Sequence, residues 1–166
     1  AAGVADIVSH TFEQYFVREA SMLSDGFCES MLKTVMHFGP IAIKEPNNFE
    51  ARGEIFAASS FGCCGLLSLG RSPSPWPCHG IEHEVSAWYD ITHGVGLAII
   101  TPHWMQWCLD TDPALVAPKF AQYGVNVFGL NPADGVEVNA KKAIEKTAAF
   151  FRSIGITQTL KDFGID

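Results

Sequence analysis

The chain has 166 residues, of which 48% are hydrophobic and 17% charged, enough for one folded domain with a real core and too apolar for a disordered segment. Its 11 basic and 18 acidic side chains leave a net charge of −7 with no basic stripe, which argues against nucleic-acid or anionic-membrane partners. No apolar run reaches the ~18 residues that a membrane span needs, the stretch Val95–Ile100 stopping at Thr101-Pro102.

In the first segment, Val4, Ile7, Val8, Thr11, Phe12, Tyr15 and Phe16 recur at helical spacing, which predicts a helix over 4–17. A second helix is expected from about Asp25 to Ile43, with Ser24 or Asp25 as N-cap, Pro46 beyond its end and a kink or break at Gly39-Pro40. A third, opened by Asn48 and running to about Leu67, is small on one side from Ala57 to Gly65, and small residues admit a close neighbour, so it reads as central and buried. The three prolines of 70–77 make a loop. Further helices are predicted from Cys78 to Trp88, from His93 to Cys108 with Thr92 as N-cap and a kink at Pro102, from Asp112-Pro113 to Tyr123, and from Val138 to Ser153, with 129–137 as a loop. No alternating strand longer than four residues is present, so the fold class is all-α.

Cys28, Cys63, Cys64, Cys78 and Cys108 form an odd set without CxxC spacing. Four lie among apolar residues, where a reduced thiol behaves as a small hydrophobe, and this points to a reducing, cytoplasmic setting. The first dozen residues, interrupted by Asp6 and His10, do not read as a secretory signal. The opening Ala1-Ala2-Gly3 and the ending Phe163-Gly164-Ile165-Asp166 read as the limits of an excised domain.

The chemistry-bearing residues are spaced for one ion. Asp6 and His10 are i, i+4 and share one helix face, His79 and His83 repeat that spacing on another helix, and His93 opens the next. Imidazoles with one carboxylate suit zinc or ferrous iron. Spacing alone leaves open whether His79 or His83 is the ligand; taken singly, the Asp6–His10 pair also fits a solvated Asp with a core-edge His, and the His79–His83 pair also fits a structural role. His37 reads as a surface or core-edge residue, and His103 lies one turn from the site. One of Glu82 and Glu84 is placed to orient a neighbouring imidazole; Asp90 either does the same or caps a helix. Trp76, Trp88 and Phe61 are either core or the walls of an apolar pocket.

These residues resemble a known family. The stretch CHGIEHEVSAWYDITHGVGLAIITPHWMQ (78–106) resembles the signature of iron-containing (group III) alcohol dehydrogenases, most of all their butanol dehydrogenase and aldehyde reductase branch. VADIVSHTFEQYF resembles the family's D-A-x-x-H-x-x-E segment, and ARGEIFAASSFGCCGLLSLG resembles the helix between its two metal half-sites. The resemblance implies that the chain is the all-α C-terminal domain of a two-domain, dehydroquinate synthase-like fold, with residues 1–166 lacking the N-terminal nucleotide-binding domain and the final helices. It implies Asp6, His10, His79 and His93 as ligands of a divalent metal, Fe2+ or Zn2+, and His83 as a proton-relay residue near the nicotinamide. The separation of 14 between His79 and His93 agrees with the family pattern. It further implies NAD(P)H as cofactor of the full-length enzyme, a primary alcohol or aldehyde as substrate, and self-association when full length. No glycine-rich phosphate-binding turn follows a strand, and the glycines at 62–65 and 94–96 read as packing positions. Glycerol dehydrogenase-like or dehydroquinate synthase-like relatives use fewer histidines with an acidic residue, so the Asp-His-His-His set argues against them. The reading from another class is a non-catalytic helical scaffold with structural histidines, which predicts no bound metal.

Overall fold

The apolar stripe of the first segment winds into α1 (Ala2–Tyr15), which buries Val4, Ile7, Val8, Phe12 and Tyr15. A computed structural model describes residues 1–19 and 21–166. Among them α1 is followed by α2 (Met22–Lys44), α3 (Phe49–Cys63), α4 (Pro77–Tyr89), α5 (His93–Thr111), α6 (Pro113–Phe128) and α7 (Val136–Ser153). Single helical turns lie at Leu66–Ser68, Pro132–Asp134 and Leu160–Phe163, and the described residues contain no strand. No helix among them is long and apolar enough to cross a membrane.

α1 is central, packing on α2, α3, α4 and α5. Its first turn meets the first turn of α5 so closely that a Cβ on Gly94 would lie 2.1 Å from the Ala2 carbonyl oxygen. Only glycine permits that approach, and it brings the start of α5 beside Asp6. At the other end, the buried Arg71 guanidinium donates to the carbonyls of Gln14 and Tyr15 at 3.0 and 3.2 Å, satisfying acceptors that the end of α1 leaves open. The same side chain pairs with Asp25 Oδ1 at 2.5 Å, and Asp25 Oδ2 accepts from Lys119 and Gln122. α1, α2 and α6 are thereby locked together. Between them Phe12, Phe16, Phe120 and Tyr123 meet edge to face, with ring centroids 4.9–5.7 Å apart. α6 and α7 pair through the close approach of Gly124 to Ala143, with Gly129 in the left-handed conformation ending α6.

Several boundaries differ from those expected. α2 starts at Met22 with Ser21 as its cap, because Ser24 and Asp25 are used elsewhere: Ser24 donates to the Leu69 carbonyl and Asp25 holds Arg71. α2 and α5 run through Pro40 and Pro102 without breaking. α3 ends at Cys63, and it is not a buried central helix. Only Ala51, Ala58 and Gly62 are buried on it, whereas Phe49 and Phe56 are 91% and 75% exposed. Its small residues form one narrow contact line rather than a core stripe. Cys28 and Cys78 are buried, Cys108 is half-buried, and Cys63 and Cys64 are exposed free thiols.

Candidate metal centre

Three helices and one strained residue converge on Asp6. On α1, positions 6, 10 and 13 share one face at i, i+4 and i+7, and α4 and α5 deliver His79 and His93 to that face. Asp6 Oδ1 lies 3.5 Å from His10 Nε2, 3.6 Å from His79 Nε2 and 3.6 Å from His93 Nε2. These separations are too long for hydrogen bonds, and Asp6 Oδ1 and His79 Nε2 are buried without a hydrogen-bond partner. Donors held at ~2.0–2.2 Å by one tetrahedral ion would stand about 3.4 Å apart. Asp6, His79 and His93 therefore fit a divalent metal in mutual spacing and donor chemistry, Asp6 and His79 also presenting unmet polar atoms, while His10 joins them through its approach to Asp6 and its buried unpartnered nitrogen is Nδ1.

Two of the three imidazoles are held by their other nitrogen, whereas His10 Nδ1 is buried without a partner. His93 Nδ1 is bonded to Glu82 Oε2, and His79 Nδ1 to Glu13 Oε2. Both carboxylates are buried, and Glu13 Oε1 also accepts from the backbone N–H of Cys78 at 2.6 Å. Glu82 is the orienting carboxylate anticipated beside His83; Glu84 is exposed, and Asp90 ends α4 in the left-handed conformation. Thr92 occupies the N-cap position of α5, but its side chain makes no capping bond. Trp76, with φ 49°, is driven into the left-handed region that non-glycine residues avoid. Its ring lies 5.3 Å from that of His10 and 5.2 Å from that of His79, walling the site.

Charge is distributed accordingly. Burial raises the Asp6 carboxyl, but His79, His10 and His93 outweigh it and hold it below the usual carboxylate range. Burial pushes the His79 imidazole down, yet the carboxylates of Asp6 and Glu13 reverse this and lift it to about 9. Burial and the neighbouring His79 push His10 below its ordinary value.

The whole chain, residues 1–166, matches the model of the "Fe-containing alcohol dehydrogenase family, C-terminal". The chain belongs to the iron-containing alcohol dehydrogenase family. It is 47% identical to NADH-dependent butanol dehydrogenase A of Clostridium acetobutylicum over 99% of its own length and 42% of that protein. It is 33% identical to the NADPH-dependent aldehyde reductase YqhD of Escherichia coli, covering 100% of this chain and 42% of the relative. Among solved structures, the NADH-dependent butanol dehydrogenase A of Thermotoga maritima superposes with a TM-score of 0.90 at 33% identity, over 99% of this chain and 40% of that one. The chain thus spans about two-fifths of the length of these relatives and corresponds to the family's C-terminal, all-helical domain.

Within this family domain the remaining candidates separate clearly. His83 is exposed on α4, with its ring 5.3 Å from that of His93 and 6.0 Å from that of His79. Donor atoms of Glu82, His83 and His93 lie within 4.8 Å of one another, as do those of Asp6, His79 and His93. His37 and His103 are exposed and stand apart from the cluster. Of the proposed pocket walls only Trp76 faces the histidines. Trp88 is 81% exposed, and Phe61 lines a shallow cavity between α2 and α3 with Phe27 and Met31. Glu13 is the site residue that spacing arguments passed over, although its place on the Asp6–His10 face marked it.

Proposed function

We propose that this chain is the metal-holding domain of an oxidoreductase, in which Asp6, His10, His79 and His93 hold one divalent cation, Fe2+ in preference to Zn2+. The observation that carries this reading is the near-equal distance, 3.5–3.6 Å, from the unpartnered Asp6 Oδ1 to three imidazole nitrogens. When bound, such an ion supplies Lewis-acid polarisation of a substrate alcohol or carbonyl oxygen.

The chain's own residues supply the rest. Asp6 brings negative charge to the cation, and Glu82 fixes His93 by its Nδ1 so that Nε2 points inward. Trp76 shields the His10 and His79 side of the cluster. His83, at the exposed edge beside His93, carries the proton between the substrate oxygen and solvent, a task suited to imidazole. The nicotinamide cofactor binds in the rest of the protein, outside these 166 residues. The relatives' names support NAD(P)H as that cofactor and a primary alcohol or its aldehyde as substrate.

Metal analysis of the purified chain, reconstituted anaerobically without chelator, tests the reading. Near-stoichiometric iron or zinc is expected in the wild type, with marked loss in Asp6→Ala and His93→Ala. A helical scaffold with structural histidines predicts no stoichiometric metal and no effect of either substitution.

A further inference from the structure

Glu13 has no role in the reading above, yet it is 4% exposed and makes three polar contacts across the α1–α4 packing. α4 begins without a local cap. Trp76 at the N-cap position offers no side-chain acceptor, and Pro77 has no N–H, so the first free donors are the amides of Cys78 and His79. Glu13 Oε1 takes both, at 2.6 and 3.4 Å, from across the α1–α4 contact. Its other oxygen, Oε2, meets His79 Nδ1.

We propose that Glu13 is a positioning residue that uses its two oxygens to couple the start of α4 to the tautomer of His79. Both oxygens must accept. One accepts from the helix amides, which sets where α4 starts, and the other accepts from Nδ1–H, which makes Nε2 the nitrogen that faces Asp6 and gives up its proton when the cation binds. An amide in the same place cannot do both. If its oxygen caps α4, its NH2 faces His79, makes Nδ1 the acceptor and moves the ring proton to Nε2, where it blocks ligation. If it flips, its NH2 confronts the Cys78 amide. Glu82 does not share this coupling, since its second oxygen accepts from the Ser86 hydroxyl rather than from a helix start. The inference rests on the metal reading above.

The test is Glu13→Gln and Glu13→Asp in the full chain. Anaerobic competition titration with Zn2+ and with Fe2+ is paired with thermal unfolding in chelator. E13Q is expected to unfold near the wild-type temperature in chelator yet bind either ion about 10- to 100-fold more weakly. E13D, which keeps two acceptors and the charge, should recover part of that loss. Zn2+ affinity of E13Q within about threefold of wild type overturns the proposal, as does a loss in E13D equal to that in E13Q. Should E13Q not fold, 15N NMR of the zinc-loaded wild type decides: the His79 proton must reside on Nδ1, and a proton on Nε2 contradicts the assignment. Absence of metal binding by the wild type would strike the metal reading itself, separately from the ratio between variants.

Discussion

A Cβ on Gly96 would lie 2.6 Å from Glu82 Oε1 and 2.8 Å from Glu82 Cγ. The bare backbone of α5 thus makes the space in which the fully buried Glu82 reaches His93 Nδ1, with Ser86 donating to its other oxygen. Gly96→Ala should displace that carboxylate. Overpacking of this kind costs about 1–3 kcal/mol, and the metal affinity should fall with it because His93 loses its orienting partner. Thermal unfolding in chelator and a zinc titration check the two effects; unchanged values for both would contradict the role given to Glu82.

Arg71 should matter as much to folding as any core aromatic. Its side chain is fully buried and answers Asp25 together with two helix-end carbonyls. Arg71→Met keeps much of the bulk but leaves a buried carboxylate facing Lys119 and Gln122 alone. Removing one partner of a buried pair costs about 3–5 kcal/mol where the remaining charge is left uncompensated, and Lys119, still paired with Asp25, keeps the cost of Arg71→Met below that. Urea unfolding in chelator measures this, and a loss below about 1 kcal/mol would place the network among ordinary surface pairs.

The same network sets an acid limit. Burial raises the Asp25 carboxyl, but hydrogen bonds from Lys119 and Gln122 and the charges of Lys119 and Arg71 hold it below the usual carboxylate range. A depressed folded-state value stabilises the fold at every pH above the unfolded value of about 3.9, and that stability is lost as pH falls through the folded value. Unfolding free energies in chelator should therefore decline on the acid side of about pH 4, more steeply in wild type than in Arg71→Met. Parallel acid limbs would show that Asp25 does not titrate against Arg71.

Metal binding should release protons. His79, lifted to about 9 by Asp6 and Glu13, carries a proton at neutral pH that a cation must displace. The apparent affinity for Zn2+ should accordingly fall as pH drops from about 8 to 6, read by competition titration at several pH values. A pH-independent affinity over that range would mean that His79 is not displaced from its proton by the ion.

In the complete enzyme, His83→Ala should slow hydride-transfer turnover while leaving metal content near that of wild type. His83 sits at the exposed edge of the cluster and outside the set around Asp6 Oδ1. Metal analysis alongside turnover separates the roles, and a large metal loss would move His83 into the ligand set.

The helical class was legible from the spacing of residues such as Val4, Ile7, Val8 and Phe12, because one buried face imposes that period. The i, i+4 pairs Asp6–His10 and His79–His83 marked the site for the same reason. What local spacing could not reveal was tertiary use of polar groups. Ser24 and Asp25 look like caps, yet they serve Leu69 and Arg71, so α2 begins three residues earlier than Asp25. α4 lacks a cap of its own because Glu13, 65 positions before Cys78, provides it. The small residues of α3 suggested burial, but small side chains permit close packing without requiring it, and its phenylalanines stay outside.

X-ray absorption on the chain loaded with one equivalent of Zn2+ or Fe2+ tests the central claim most directly. The account predicts a shell of nitrogen and oxygen at about 2.0–2.2 Å with the outer scattering of three imidazoles. A sulfur shell near 2.3 Å, about the Zn–S distance, would instead assign the ion to the exposed thiols of Cys63 and Cys64 and contradict the Asp6–His10–His79–His93 centre.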